Sequence, residues 1–152
     1  MFKYRNTVRG AIPSADIEAA YRKAFGMSEG GIWQRLLQLL FGGTSVFQFA
    51  DASYKEVNEG QINMILQADA TDKETYEAEG FDCDDFAFML MGVFHQNTDT
   101  AAMPIFITWV SMTEGGHAVL SYYKDGEVKI IEPQNDEIYD VPKEWGLMLL
   151  CG

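Results

Sequence analysis

Basic side chains are scarce. The 152-residue sequence has 11 Lys and Arg against 23 Asp and Glu, a formal net charge of −12. Nucleic-acid binding rests on neutralising phosphates with Lys and Arg, and anionic membrane surfaces attract polybasic segments. The scattered basic residues supply neither, which argues against nucleic acid and membranes as partners. Cysteine is also rare: Cys83 and Cys151 stand far apart and make no disulfide framework. A reducing, cytoplasmic setting is therefore expected, with Cys83 a free thiol. No apolar run approaches the ~20 residues that a membrane span requires, and Met1-Phe2-Lys3-Tyr4-Arg5-Asn6 opens no signal-peptide pattern. Export through a phage holin would need none. Gly30-Gly31 and Gly42-Gly43 lack the lysine and spacing of a phosphate loop. No repeat, low-complexity tract or Pro/Gly/Ser-rich linker divides the chain, so 1–152 reads as a single domain.

What is present suits a packed core. Hydrophobic residues make up 47% of the chain and aromatic residues 13%, which excludes a disordered polymer. The first half, 1–75, reads as mainly helical. Pro13-Ser14 opens a segment with Ile17, Ala20, Tyr21 and Ala24 at helical spacing, closed by Gly26. A second helix is expected over Ile32–Leu40, stopped by Gly42-Gly43, and a third over Asn58–Ala68. A fourth is expected from about Asp82 to Gln96. Strands are expected at Met103–Met112, His117–Tyr123 and Glu127–Glu132, rich in β-branched and aromatic residues. Helices first and antiparallel strands later describe an α+β domain: N-terminal helices, then over 76–142 a helix packed on a small antiparallel sheet.

Lys124-Asp125-Gly126-Glu127 carries the strongest short-range hairpin signal, Asp-Gly between two β-type runs. A two-residue loop there pairs Lys124 with Glu127, Tyr123 with Val128, Ser121 with Ile130, Val119 with Glu132 and His117 with Gln134. Alternation puts His117, Val119, Glu132 and Gln134 on one face. Glu132 is then a diagonal neighbour of His117, roughly 7–8 Å away between Cα atoms and within side-chain reach.

The fourth helix has its own logic. Asp82 is a suitable N-cap, leaving Cys83 at the first helical position and Asp84 and Asp85 in the first turn, where carboxylates suit the helix dipole. Cys83, Phe86, Ala87, Leu90 and Phe94 form one apolar stripe, so the thiol begins the buried face. A helix N-terminus lowers a thiol's pKa. Cys83, His117 and an acid or amide at Glu132 or Gln134 thus make a candidate relay, with backbone N–H groups at the helix start able to hold an oxyanion.

Phe81-Asp82-Cys83-Asp84-Asp85-Phe86-Ala87 resembles the nucleophile motif of bacterial transglutaminase-like cysteine peptidases. Gly116-His117-Ala118-Val119 is similar to their His-Ala strand, and Ile131-Glu132-Pro133 to their Asp-Pro step, with Glu in place of Asp. The order agrees: His follows Cys by 34 residues, and the acid follows His by 15. The resemblance covers roughly Tyr76 to Asn135. It implies a papain/transglutaminase-like core with Cys83 as nucleophile, His117 as general base and Glu132 as orienting carboxylate. It further implies hydrolysis or transfer of an amide acyl group of a peptide or protein through a thioester, without a cofactor. Two alternatives stand beside it. One is a cell-wall amidase of the cysteine–histidine type, whose Gly-His strand and later Glu are echoed by Glu132 and Gln134. The other is a catalytically silent binding module on the same fold.

Three accessory residues complete the candidates: Gln134 and Asp82 beside the relay, and Gln67 as a contributor to an oxyanion site. Zinc favours several Cys or His ligands, and Asp82, Cys83, Asp84, Asp85 and His117 offer only one of each, so no metal site is assigned. His95 at a helix end is accounted for by the dipole. Trp109 reads as core, and Trp33 and Trp145 as residues bordering a cleft.

Overall fold

A computed structural model describes residues 11–28 and 46–152. The expected helix over Ile32–Leu40, its Gly42-Gly43 stop and Trp33 lie outside the described residues. Helix α1 (Ser14–Ala24) follows Pro13, whose φ of −63° suits a helix start, and is laced by an Arg22–Glu18 pair one turn apart. Helix α2 (Glu59–Ala68) is capped by the Asn58 side chain, which accepts from the Gln61 N–H, and a 3-10 turn (Thr71–Lys73) follows. Helix α3 (Cys83–His95) is the apolar one, burying Phe86, Ala87, Leu90, Met91 and Phe94. A short α4 (Thr98–Ala101) leads into the strands.

The strands are β1 (Ile12–Pro13), β2 (Phe47–Gln48), β3 (Ser53–Tyr54), β4 (Ile105–Met112), β5 (Gly115–Lys124), β6 (Glu127–Ile131), β7 (Ile138–Asp140) and β8 (Gly146–Cys151). Strands β1 and β3 pair alone; the others form one sheet in the order β2-β8-β4-β5-β6-β7. All its neighbours are antiparallel except β2 and β8. Alternation along β4 assigns Ile105 and Ile107 to a core shared with Ala118, Leu120, Tyr122, Leu90 and Phe94. Phe106, between them, joins a second core with Ile17, Tyr21, Val128 and Leu150. Helices α3 and α1 thus cover opposite faces. A polar seam crosses the α1 face, where Tyr21 Oη meets Ser121 Oγ at 2.6 Å and Ser121 Oγ meets Thr108 Oγ1 at 2.5 Å, all three residues buried.

The β5–β6 hairpin turns at Asp125 (φ 52°) and Gly126 (φ 87°), the two left-handed positions of a two-residue loop. Its register pairs Lys124 with Glu127, Tyr123 with Val128 and Ser121 with Ile130, as the turn dictates. The ladder ends at Leu120–Ile131, short of the expected Val119–Glu132 and His117–Gln134 pairs. Pro133 has no N–H to continue it, and the Glu132 N–H turns to the Glu137 carbonyl at 2.9 Å.

The expected fold needs correction. A papain/transglutaminase-like α+β core with a small antiparallel sheet is replaced by a six-stranded mixed sheet with α1 and α3 on its faces. Two segments bring this about. Gly146–Cys151, unassigned in the sequence reading, enters beside β4, and Phe47–Gln48 adds a parallel edge to it. The physical reason is burial: Leu150 has no exposed surface, and only a strand inside the sheet satisfies that segment's backbone while covering its leucines. The segment 1–75, expected as mainly helical, supplies β1, β2 and β3 as well as α1 and α2.

Candidate functional site

The candidate residues fall at two places: the start of α3, and the residues flanking the end of the β5–β6 ladder. The first is set by a capping box. The Asp82 side chain accepts from the Asp84 N–H at 3.4 Å, and the Asp82 N–H donates to Asp85 Oδ2 at 3.2 Å. Cys83 follows as the first helical residue, half-buried against the core that holds Ala118 and Leu120. Asp82, Cys83 and Asp84 bring ligand-type atoms within 4.8 Å of one another. Their carboxylates are accounted for by the helix start. The Asp84 carboxyl is held above its ordinary range, first by its hydrogen bond with Asp82, then by burial and by the charge of Asp82.

The second part is a polar pair. His117 Nε2 lies 2.8 Å from Glu132 Oε2, with only 16% and 13% of their side chains exposed. Tyr139 Oη donates to the same Oε2 at 3.4 Å, and the Gln134 N–H donates to Glu132 Oε1 at 3.4 Å. Burial pushes the Tyr139 phenol well above its usual range, and the negative charge of Glu132 adds to this. Trp145 completes the cluster, edge-on to His117 with ring centres 6.2 Å apart and edge-on to Tyr139 at 6.1 Å. The arrangement is an anchored carboxylate, an imidazole and a phenol beside a half-buried indole.

The structure therefore brings His117 and Glu132 into contact and adds Tyr139 and Trp145. Trp145 was expected at a cleft border; Tyr139 was missed, because Ile138–Asp140 is too short a strand to read by alternation. Gln134 contributes its backbone N–H to Glu132 rather than a side chain opposite His117. Asp82 serves as the helix cap, and Gln67 is exposed on α2. Among the described residues, no hydrogen bond joins the Cys83 sulfur to His117.

No family model and no curated protein matches the sequence. Solved structures do match its fold. A complex of the lectin PSL1a with E64 superposes on 100% of the chain with a TM-score of 0.72 at 18% identity. Polyporus squamosus lectin, bound to the human-type influenza-binding epitope Neu5Acα2-6Galβ1-4GlcNAc, superposes on 94% with a TM-score of 0.69 at 19% identity. The chain spans 57% and 50% of those two chains. A likeness at this identity is one of fold. The matches correct the expected kinship with transglutaminase-like and papain-like cysteine peptidases, since the shared fold is found in lectin chains. The matches likewise lend no support to the expected acyl transfer through a Cys83 thioester or to the peptide substrate expected with it. Among the described residues no helix is long and apolar enough to cross a membrane.

Proposed function

We propose that this domain is a binding module whose ligand is a neutral carbohydrate, held at the His117–Glu132–Tyr139–Trp145 cluster with Cys83 at its border. One observation carries the reading: a hydrogen-bonded carboxylate–imidazole pair stands beside a half-buried Trp that touches both His117 and Tyr139. Sugars present a C–H face that packs on an indole, and hydroxyls that pair with carboxylate and imidazole. The lectin with its bound glycan and PSL1a in complex with E64 support a ligand-holding role for this fold. The chain's charge of −12 disfavours an acidic sugar, so the neutral disaccharide Galβ1-4GlcNAc is the preferred probe over its sialylated form.

Isothermal titration of the full chain with Galβ1-4GlcNAc and with the sialylated trisaccharide tests this. Saturable binding of the neutral glycan is expected, at least tenfold weaker in Trp145→Ala. Absence of neutral-glycan binding at millimolar concentration, or equal binding by the variant, overturns the reading. So does rapid covalent capture of the epoxide E64 by Cys83 in a protein that binds no glycan.

A further inference from the structure

Helix α1 has a side that the sheet does not fill. Ile17 and Tyr21 are fully buried in the second core, whereas Ala20, Lys23 and Ala24 share an adjoining side at helical spacing. At Ala20 and Ala24 the helix presents only methyl groups. An open cleft of about 410 Å³ lies between that side and the edge of the sheet, lined also by Val128 of β6 and by Val141 just after β7. The turn residue Gly126 forms part of its wall, and a Cβ there would meet no atom within 4 Å. The volume lies within the range of small-ligand pockets. None of Cys83, His117, Glu132, Tyr139 and Trp145 lines it.

Charges at the cleft narrow the ligand. Lys129 is committed: its Nζ stands 2.6 Å from Asp140 Oδ1 and 3.4 Å from Glu127 Oε2, and all three residues line the cleft. Lys23 is exposed, and among the described residues its ammonium has no hydrogen bond or ion pair. The negative end of the helix dipole favours a cation in this last turn but supplies no counter-ion. In a chain with 23 acidic and 11 basic side chains, a lysine left without a carboxylate beside a cleft leaves room for an anion. A dianion or phosphate would be repelled by the exposed carboxylates of Asp140 and Glu127, so a single negative charge fits. No aromatic ring lines the cleft among the described residues, which removes the stacking surface that a sugar favours.

We propose that this cleft binds a small aliphatic monocarboxylate, its carboxylate on Lys23 Nζ and its hydrocarbon chain against Ala20, Ala24, Val128 and Val141. A charge-assisted hydrogen bond fixes the head, and burial of methylene groups supplies the rest of the affinity. The site is separate from the proposed sugar site, and neither depends on the other.

Isothermal titration of the full chain with octanoate, acetate and octylamine tests the assignment. Saturable octanoate binding is expected, with acetate and octylamine each about tenfold weaker or more. Lys23→Gln should weaken octanoate binding about tenfold, and Lys23→Arg should retain it. Ala24→Leu, which fills the cleft, should weaken it to a similar degree, whereas Trp145→Ala should bind octanoate as the native sequence does. No saturable octanoate binding by the native sequence, or undiminished binding by Lys23→Gln or Ala24→Leu, overturns the proposal. Acetate or octylamine binding as tightly as octanoate overturns it too, the first by dispensing with the cleft and the second by reversing the charge. Loss of octanoate binding in Trp145→Ala would place the carboxylate at the His117 cluster and overturn it likewise.

Discussion

Glu132 and His117 stand fifteen positions apart in sequence and 2.8 Å apart in space, Oε2 to Nε2. Glu132 lies one residue past Ile131 and His117 three before Leu120, the last rung of their hairpin. That one step frees the Glu132 carboxylate from the ladder's geometry. It therefore takes the imidazole and the Tyr139 hydroxyl on one oxygen, and the Gln134 N–H on the other.

Truncating this carboxylate should be felt as lost stability. Glu132→Ala leaves the ring nitrogen of His117 and the phenol of Tyr139 without their shared acceptor in a largely buried place. An unfilled buried partner of this kind costs about 1–3 kcal/mol. Urea denaturation should report a loss in that range for Glu132→Ala and a smaller one for Glu132→Gln. An unchanged midpoint in the alanine variant would mean that the pair does not hold the turn.

Cys83 starts α3, packed against the core that holds Ala118, and is proposed to border the ligand site, whereas Cys151 sits in β8 opposite Ile107 and Gln48. The two thiols supply a probe and its internal reference. Iodoacetamide labelling of Cys83, followed by mass spectrometry of the native chain, should slow when Galβ1-4GlcNAc is saturating, while labelling of Cys151 continues unchanged. Equal rates with and without sugar would remove Cys83 from the site.

The buried hydroxyl relay across the sheet makes a third prediction. Tyr21→Phe removes the oxygen that meets Ser121 Oγ at 2.6 Å and leaves a near-isosteric ring. Ser121 keeps Thr108 as a partner, so the loss should stay near 1–2 kcal/mol in chemical denaturation. Ser121→Ala deprives both Tyr21 and Thr108 and should destabilise more. The reverse order would show that the relay is not shared in this way.

Asp136 predicts a pH dependence. Burial, together with the charges of Asp72 and Asp69, lifts its carboxyl to about 6 from 3.8. A carboxyl raised on folding contributes stability that is fully present below its unfolded pKa. That contribution is lost as pH rises through the folded one. Stability should therefore fall between about pH 4 and 6 and then level off, by an amount on the order of 1 kcal/mol after solvent screening. Asp136→Asn should remove this step, as read from urea midpoints at successive pH values. Persistence of the step in the variant would assign it to another group.

Local chemistry was largely legible in the sequence. Asp125-Gly126 announced a two-residue turn, and the turn fixed the pairing of Ser121 with Ile130 and Tyr123 with Val128. Asp82 and Asn58 announced two helix starts, and each side chain accepts the backbone bond that a cap requires. The kinship suggested by Asp82-Cys83-Asp84 was misleading about the fold. A short motif reports a cap and a buried helix face, and many architectures reuse both. Tyr139 escaped because it reaches Glu132 and Trp145 from a three-residue strand, where no periodicity points.

The sequence by itself determined what neighbours along the chain can settle: turns, caps, and which side of each helix or strand is apolar. Those follow from backbone hydrogen bonding and side-chain alternation over a few residues. Tertiary structure alone decided that Gly146–Cys151 lies between β2 and β4, and that Tyr139 and Trp145 join Glu132 and His117. Hydrophobic burial has no direction, so an apolar segment declares that it must be covered without declaring by what.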